Sequence, residues 1–256
     1  MKKVVFFGNC QAGQLNKLIF KLIDSENFNF QYYPNNARTG GQKSLEETLN
    51  GIRKADYLIY QPLTKFHGDL REENVLSNIK SSCIPLSFSY IFNSGICSLC
   101  NAPKAGKIFG SEFITEKIAR QSKSEILLDY QEGNINFDLP NRFTQCLTEM
   151  SIREKKTALK LSDYIHDHYQ SKKLFITHNH PANELLFESI RQIKELSGLP
   201  IKLDFFDIDV PSLPTTNCPV SPHDQAIHGY QFAPDDNWLE KGGLLISRII
   251  DAKPAS

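Results

Sequence analysis

One cysteine and two histidines stand where a folded chain can do chemistry. Gly8-Asn9-Cys10-Gln11 follows directly on the apolar run Val4-Val5-Phe6-Phe7, and Thr177-His178-Asn179-His180-Pro181 follows Leu174-Phe175-Ile176. A thiol is mostly protonated in neutral water, so covalent chemistry on it needs a base, a helix dipole, or both, plus donors for an oxyanion. Cys10 is the candidate nucleophile; the alternative, a buried cysteine acting as a small hydrophobe, is opposed by polar Asn9 and Gln11 on either side. His180 is the preferred base, because the residue just ahead of a helix points up from the strand tips and Pro181 fixes its backbone. His178 turns to the same side and stays in contention. Asn9, Gln11 and Gln61, with backbone N–H groups of the Cys10 turn, are candidates to hold the oxyanion or the substrate. For the acid that orients the base, Asp224 and Glu184 are the options, unless a Cys/His dyad suffices. His223 and His228 are a rival source of the base, in a segment that Pro222 and Gly229 mark as a loop.

These side chains need elements to carry them. The run Val4 to Phe7 has the continuous apolar character of a strand buried on both faces of a parallel sheet, and ligands bind at the carboxyl ends of such strands. Leu15, Leu18, Ile19, Leu22 and Ile23 then recur at helical spacing, which places Cys10 near the positive end of a helix dipole, where thiolate is favoured. Further strands are expected at 28–33, at 55–60, ending in Gln61-Pro62, and at 83–88. Helices are expected from Leu45, Leu49 and Ile52 behind a Ser44/Glu47 capping box, and over 70–80. From Ser89 to Gln170 the alternation gives way to helical patterns near 112–130 and 151–170, the second headed by a Ser151/Glu154 capping box, which reads as a helical insertion or cap. The alternation resumes with a strand at 173–177, on the presumed Cys10 rim, and a helix at 183–196. A strand at 201–206, a proline-rich stretch and a last apolar segment near 244–250 form a C-terminal extension over 201–256. The whole reads as a single α/β domain over 1–256 with the insertion at 89–170.

Composition bounds the partners. With 256 residues, 40% apolar, the chain is long enough for a real core. Lys+Arg and Asp+Glu both number 29, so no global charge draws it to nucleic acid or to an anionic membrane. No apolar stretch reaches the roughly 18 residues that span a bilayer, and the N-terminus enters a strand at once, so a cytoplasmic location is expected. The six cysteines are scattered without a disulfide framework, which fits reduced thiols. Cys97-Ser98-Leu99-Cys100 is a lone CxxC with no second pair or spaced histidines in its neighbourhood, and no metal is expected. The loop from Ala37 to Lys43 holds glycines and the cations Arg38 and Lys43, candidates with Lys104 and Lys107 to meet phosphates; it matches neither a P-loop nor a dinucleotide fingerprint.

The Gly8-Asn9-Cys10 tip resembles the Gly-Asp-Ser tip of the SGNH (GDSL) hydrolases, and the order strand, His180-Pro181, helix resembles their closing block. Gly8-Asn9-Cys10-Gln11, the strand ending in Gln61-Pro62, and Thr177-His178-Asn179-His180-Pro181 are more closely similar to the family of the capsule polysaccharide biosynthesis protein WcbI, acetyltransferases that bind coenzyme A. The likeness covers most of residues 1–200. It implies an SGNH-like three-layer α/β sandwich with a mainly parallel sheet, a site for coenzyme A or acetyl-coenzyme A, and acyl transfer to a carbohydrate acceptor in surface polysaccharide assembly. The chain departs from the hydrolases at two points: Asn9 replaces the acid of their tip, and Thr177 stands where they carry an aspartate three residues before the histidine. A hydrolase on the same layout (esterase, thioesterase or carbohydrate deacetylase) and a non-catalytic nucleotide- or glycan-binding module are the alternatives.

Overall fold

Val4, Val5, Phe6 and Phe7 are all 1% exposed or less because they run through the centre of a sheet covered on both faces. The computed structural model describes residues 1–35, 45–102, 107–203 and 218–252. Its first elements are β1 (Lys2–Gly8), α1 (Cys10–Leu22), β2 (Phe28–Pro34), α2 (Leu45–Arg53), β3 (Tyr57–Tyr60), α3 (Glu72–Ser77) and β4 (Ile84–Ser87). There follow β5 (Cys100–Ala102), β6 (Lys107–Phe109), α4 (Ser111–Ile118), α5 (Lys123–Glu132), α6 (Leu139–Glu154) and α7 (Ser162–His168). The last are β7 (Phe175–Thr177), β8 (His180–Pro181), α8 (Asn183–Ser197), α9 (Pro222–His228) and α10 (Trp238–Asp251).

Two compact units emerge. The first combines Met1–Ile91, Met150–Tyr164 and Asn183–Pro211; the second combines Phe92–Glu149, Ile165–Ala182 and Ser212–Ser256. In the first, a parallel sheet has the order β2-β1-β3-β4. Side chains of a strand alternate between faces, and two cores result. Val4, Phe6, Tyr57 and Ile59 pack with Leu15, Ile19 and Leu22 of α1 and Leu186, Ile190 and Ile193 of α8. Val5, Phe7, Leu58 and Tyr60 pack with Ile52 of α2 and Val75 of α3. This is an α/β architecture with helices on both faces. Strand order reverses at β1, with β2 on one side and β3 on the other, so the carboxyl end of β1 is a topological switch point, where a crevice opens.

The second unit is mainly helical. Ile114 of α4, Ile126 and Tyr130 of α5, Leu139 of α6, and Leu245 and Ile246 of α10 share a core with Leu99 and Phe137. A side chain at Gly242 would run into the Tyr130 ring, so glycine lets α10 approach α5. Two antiparallel two-stranded ladders, β5–β6 and β7–β8, complete it.

Several local expectations are corrected. The strand at 173–177 does not extend the parallel sheet: β7 starts at Phe175 and pairs with β8 across a two-residue turn, since a hairpin needs no long crossover. Ser151 does not head a helix; it lies inside α6, and the Glu154 carboxylate instead accepts from the backbone N–H groups of Leu161 and Ser162, capping α7. Residues 222–228 are helix, not loop: Ser221 and Asp224 form a capping box, Pro222 takes the first turn, where its missing N–H costs nothing, and Gly229 closes the end at φ 67°. Ser44 and the second half of the strand expected at 201–206 lie outside the described residues, and its first half, 201–203, is not in a strand. Among the described residues no helix is long and apolar enough to cross a membrane.

Candidate active site

Asn9 caps α1, and Cys10 is the helix's first residue. The Asn9 Oδ1 accepts from the Gln11 backbone N–H at 2.9 Å, which leaves Cys10 at the exposed head of the helix. Of the six cysteines only Cys10 is exposed.

A closed amide network holds this turn. Gln61, arriving at the end of β3, accepts the Asn9 backbone N–H on Oε1 at 2.8 Å and donates from Nε2 to Gln11 Oε1 at 3.1 Å. Gln11 in turn donates to the Ile91 carbonyl at 2.7 Å and accepts the Ile91 N–H at 3.1 Å. Gln11 and Gln61 are 1% and 5% exposed, so these bonds replace water on every arm of a buried relay. Gly8 makes room for it: an added Cβ would come within 2.8 Å of Gln61 Oε1. Tyr32 donates to the Asn9 carbonyl at 2.9 Å, and burial, with Cys10 nearby, pushes its phenol up to about 12.

Within the same unit a cavity of about 490 Å³ opens beside Asn9 and Gln61. Phe88 and Tyr90 give it an apolar wall; Arg71, Arg153 and Lys156 supply cations, and Glu72 and Glu73 acids. The buried Ser89 hydroxyl on its wall has no hydrogen-bond partner among the described residues. These residues are absent from the sequence reading. Arg71 heads α3, and Arg153 and Lys156 lie around the end of α6, outside the strand-end motifs of the sequence. Of the expected phosphate ligands, Arg38, Lys43 and Lys104 lie outside the described residues. Lys107 lies over the Phe109 ring, 4.7 Å from its centre.

In the second unit the β7–β8 hairpin carries both histidines. The Thr177 hydroxyl meets His180 Nδ1 at 2.6 Å and donates to Asn179 Oδ1 at 3.2 Å. With its single proton on Asn179, the hydroxyl accepts from Nδ1–H, and the His180 lone pair then sits on Nε2. Thr177 thus orients the ring. His178 is placed differently: it is 5% exposed, with Phe92 and Phe109 centroids 5.5 and 4.7 Å from its own and Nδ1 3.2 Å from Cys100 Sγ. Burial, and then the neighbouring His180, push its pKa down to about 4.

The remaining candidates have structural tasks. Asp224 is fully buried; its carboxylate accepts from the backbone and hydroxyl of Ser98 and from the Ser221 N–H, and burial raises its pKa. His228 meets the Gly95 carbonyl at 2.8 Å and His223 the Gln131 carbonyl at 2.9 Å. Glu184 is exposed in the first turn of α8.

Sheet order and turn geometry define an α/β protein with a solvent-facing cysteine at the switch point of its sheet. The family model of the polysaccharide biosynthesis enzyme WcbI matches residues 111–202, a span that includes the hairpin of His178 and His180. The chain resembles that family. A solved structure of WcbI, a polysaccharide biosynthesis enzyme, in its native form without the disulfide bond between coenzyme A and a cysteine, superposes with a TM-score of 0.72 at 16% identity. It covers 98% of this chain and 96% of that one, which shows that the two share their fold. No curated protein matches the chain.

Proposed function

We propose that the chain is a coenzyme A-dependent acyltransferase, by preference an O-acetyltransferase, acting on a carbohydrate in surface polysaccharide biosynthesis. The observation that carries this reading is the exposed Cys10 at the head of α1, next in the chain to Asn9, which lines a cavity together with three cationic side chains. The solved structure of WcbI, a protein of the same fold, is described as free of a disulfide bond between coenzyme A and a cysteine, a description that associates those two groups and supports the reading.

The cavity suits the donor in size and chemistry. Ligand pockets run to roughly 300–1,000 Å³ and combine apolar walls with a few placed polar groups. Arg71, Arg153 and Lys156 would take phosphates, and Ser89 offers a hydroxyl that no described residue pairs.

The donor supplies an acyl group activated as a thioester. Cys10 Sγ attacks its carbonyl carbon while His180 Nε2 takes the thiol proton, and backbone N–H groups at the head of α1 hold the oxyanion. The departing thiolate leaves with that proton. In the second half the acceptor hydroxyl gives its proton to His180 as its oxygen attacks the acyl-cysteine, and Cys10 is released as thiolate to be reprotonated. Gln11 and Gln61 act here by fixing the turn, and Asn9 by capping it.

Rapid quenching after mixing with acetyl-coenzyme A, followed by intact-mass measurement, tests the reading. One acetyl group on Cys10, absent in Cys10→Ala and discharged by an added glycan, is the expected result. Fast release of free thiol without any acceptor would assign a hydrolase instead.

A further inference from the structure

We propose that Cys97, Cys100 and Cys218, with His178 as the fourth ligand, form a structural zinc site in the second unit. The three sulfur atoms lie within 4.8 Å of one another, and the three residues are 0%, 0% and 3% exposed. Tetrahedral coordination at about 2.3 Å per zinc–sulfur bond sets sulfurs roughly 3.8 Å apart, so such a cluster needs only small adjustments to close on a metal. The nearest candidate for the fourth position is His178, whose Nδ1 is 3.2 Å from Cys100 Sγ; it lies outside the mutually close trio, so its ring must shift toward the other two sulfurs to complete the set.

The surroundings are those of a thiolate site. The His178 backbone N–H points at Cys100 Sγ at 3.4 Å, a hydrogen bond of the kind that offsets negative charge on a metal-bound sulfur. Phe92 and Phe109 flank the imidazole, with ring centroids 5.5 and 4.7 Å from its own, and fix its plane beside the sulfurs. Cys100 and Cys218 are joined as a disulfide. That bond uses two of the four groups and leaves Cys97 as a wholly buried thiol against them, whereas zinc uses all four. The two states exclude each other, and the metal belongs to the reduced chain.

Four protein ligands, all buried, leave no open position for water, so the site is of the closed, structural kind. It would tie together the CxxC leading into β5, the β7–β8 hairpin and the segment ahead of α9. The hairpin is also the one that holds His180, two residues from His178. CxxC alone fell short of a metal signature in the sequence; Cys218, a separation of 118 residues from Cys100, supplies what was lacking.

The test uses the full chain purified under reductant, its metal content measured directly, then stripped and titrated with cobalt(II). One zinc per chain is expected, and cobalt should give near-ultraviolet thiolate charge-transfer bands with the strong visible bands of a tetrahedral site, lost on adding zinc. Cys97→Ser and Cys218→Ser should each weaken zinc binding more than about 100-fold, and His178→Ala about 10–100-fold with altered visible bands. Should the variants fail to fold, the wild-type cobalt spectrum decides alone, because the charge-transfer intensity counts thiolates. A reduced, folded chain that takes up neither metal overturns the proposal. So does metal binding unchanged by Cys97→Ser and Cys218→Ser.

Discussion

Two side chains set the chemistry at the residue scale, and each is governed by a neighbour. The His180 ring is held through Nδ1 by the Thr177 hydroxyl at 2.6 Å. Thr177→Val removes that contact at nearly constant volume, so kcat for acyl transfer should fall about 10–100-fold with KM little changed, and Thr177→Ser should restore most of it. A uniform loss in both variants would contradict the orienting role. Beside Cys10, Tyr32 binds its proton more tightly in the folded chain, with its pKa raised from 10 to about 12 by burial. The stabilising effect is therefore complete below pH 10 and is lost as pH rises from 10 to about 12. Urea midpoints over that range should drop more steeply for the wild type than for Tyr32→Phe; equal slopes would show that this phenol is not perturbed.

At the scale of elements, the turn between β1 and α1 depends on β3 through the Gln61 amide. Replacing Gln61 by Leu removes the acceptor of the Asn9 N–H and one of the two donors to Gln11 Oε1, which should cost about 1–3 kcal/mol. Because Gln11 and Gln61 belong to one relay, Gln11→Leu and the double variant should show coupling of at least about 0.5 kcal/mol in urea unfolding, whereas additive losses would place them in separate networks. The same elements show what can be read from a chain alone. Val4 to Phe7 are uniformly apolar because both sheet faces are covered, and Leu15 to Leu22 keep one helical face, so β1, α1 and the exposed cysteine between them were legible. Helix α9 was not: Pro222 and Gly229 read as breakers in the sequence, although a proline in the first turn and a glycine past the last are compatible with a helix between them. The pairing of strand β7 is not legible because an apolar run does not reveal its partner, and here the nearest partner, His180 for Thr177, is three residues away.

On the scale of the whole molecule, the α/β layout with a central parallel sheet and flanking helices was legible from the alternation of apolar runs and helical periods. Cavity-lining Arg71, Arg153, Lys156 and Ser89 were not, since only folding brings the ends of β3, β4 and α6 to one opening. The same holds for Cys218, whose proximity to Cys97 and Cys100 no local spacing announces. Cys10 and His180 fall in different units, so their partnership in catalysis rests on function and must be measured there. Binding of the acyl donor is the step on which the rest depends, and the cations of the cavity give it a definite signature. Calorimetric titration of the intact chain with coenzyme A should reveal one site, weakened roughly tenfold by Arg153→Ala or Lys156→Ala and retained in His180→Ala. A chain that is folded by circular dichroism yet gives no binding heat at several temperatures would contradict the account.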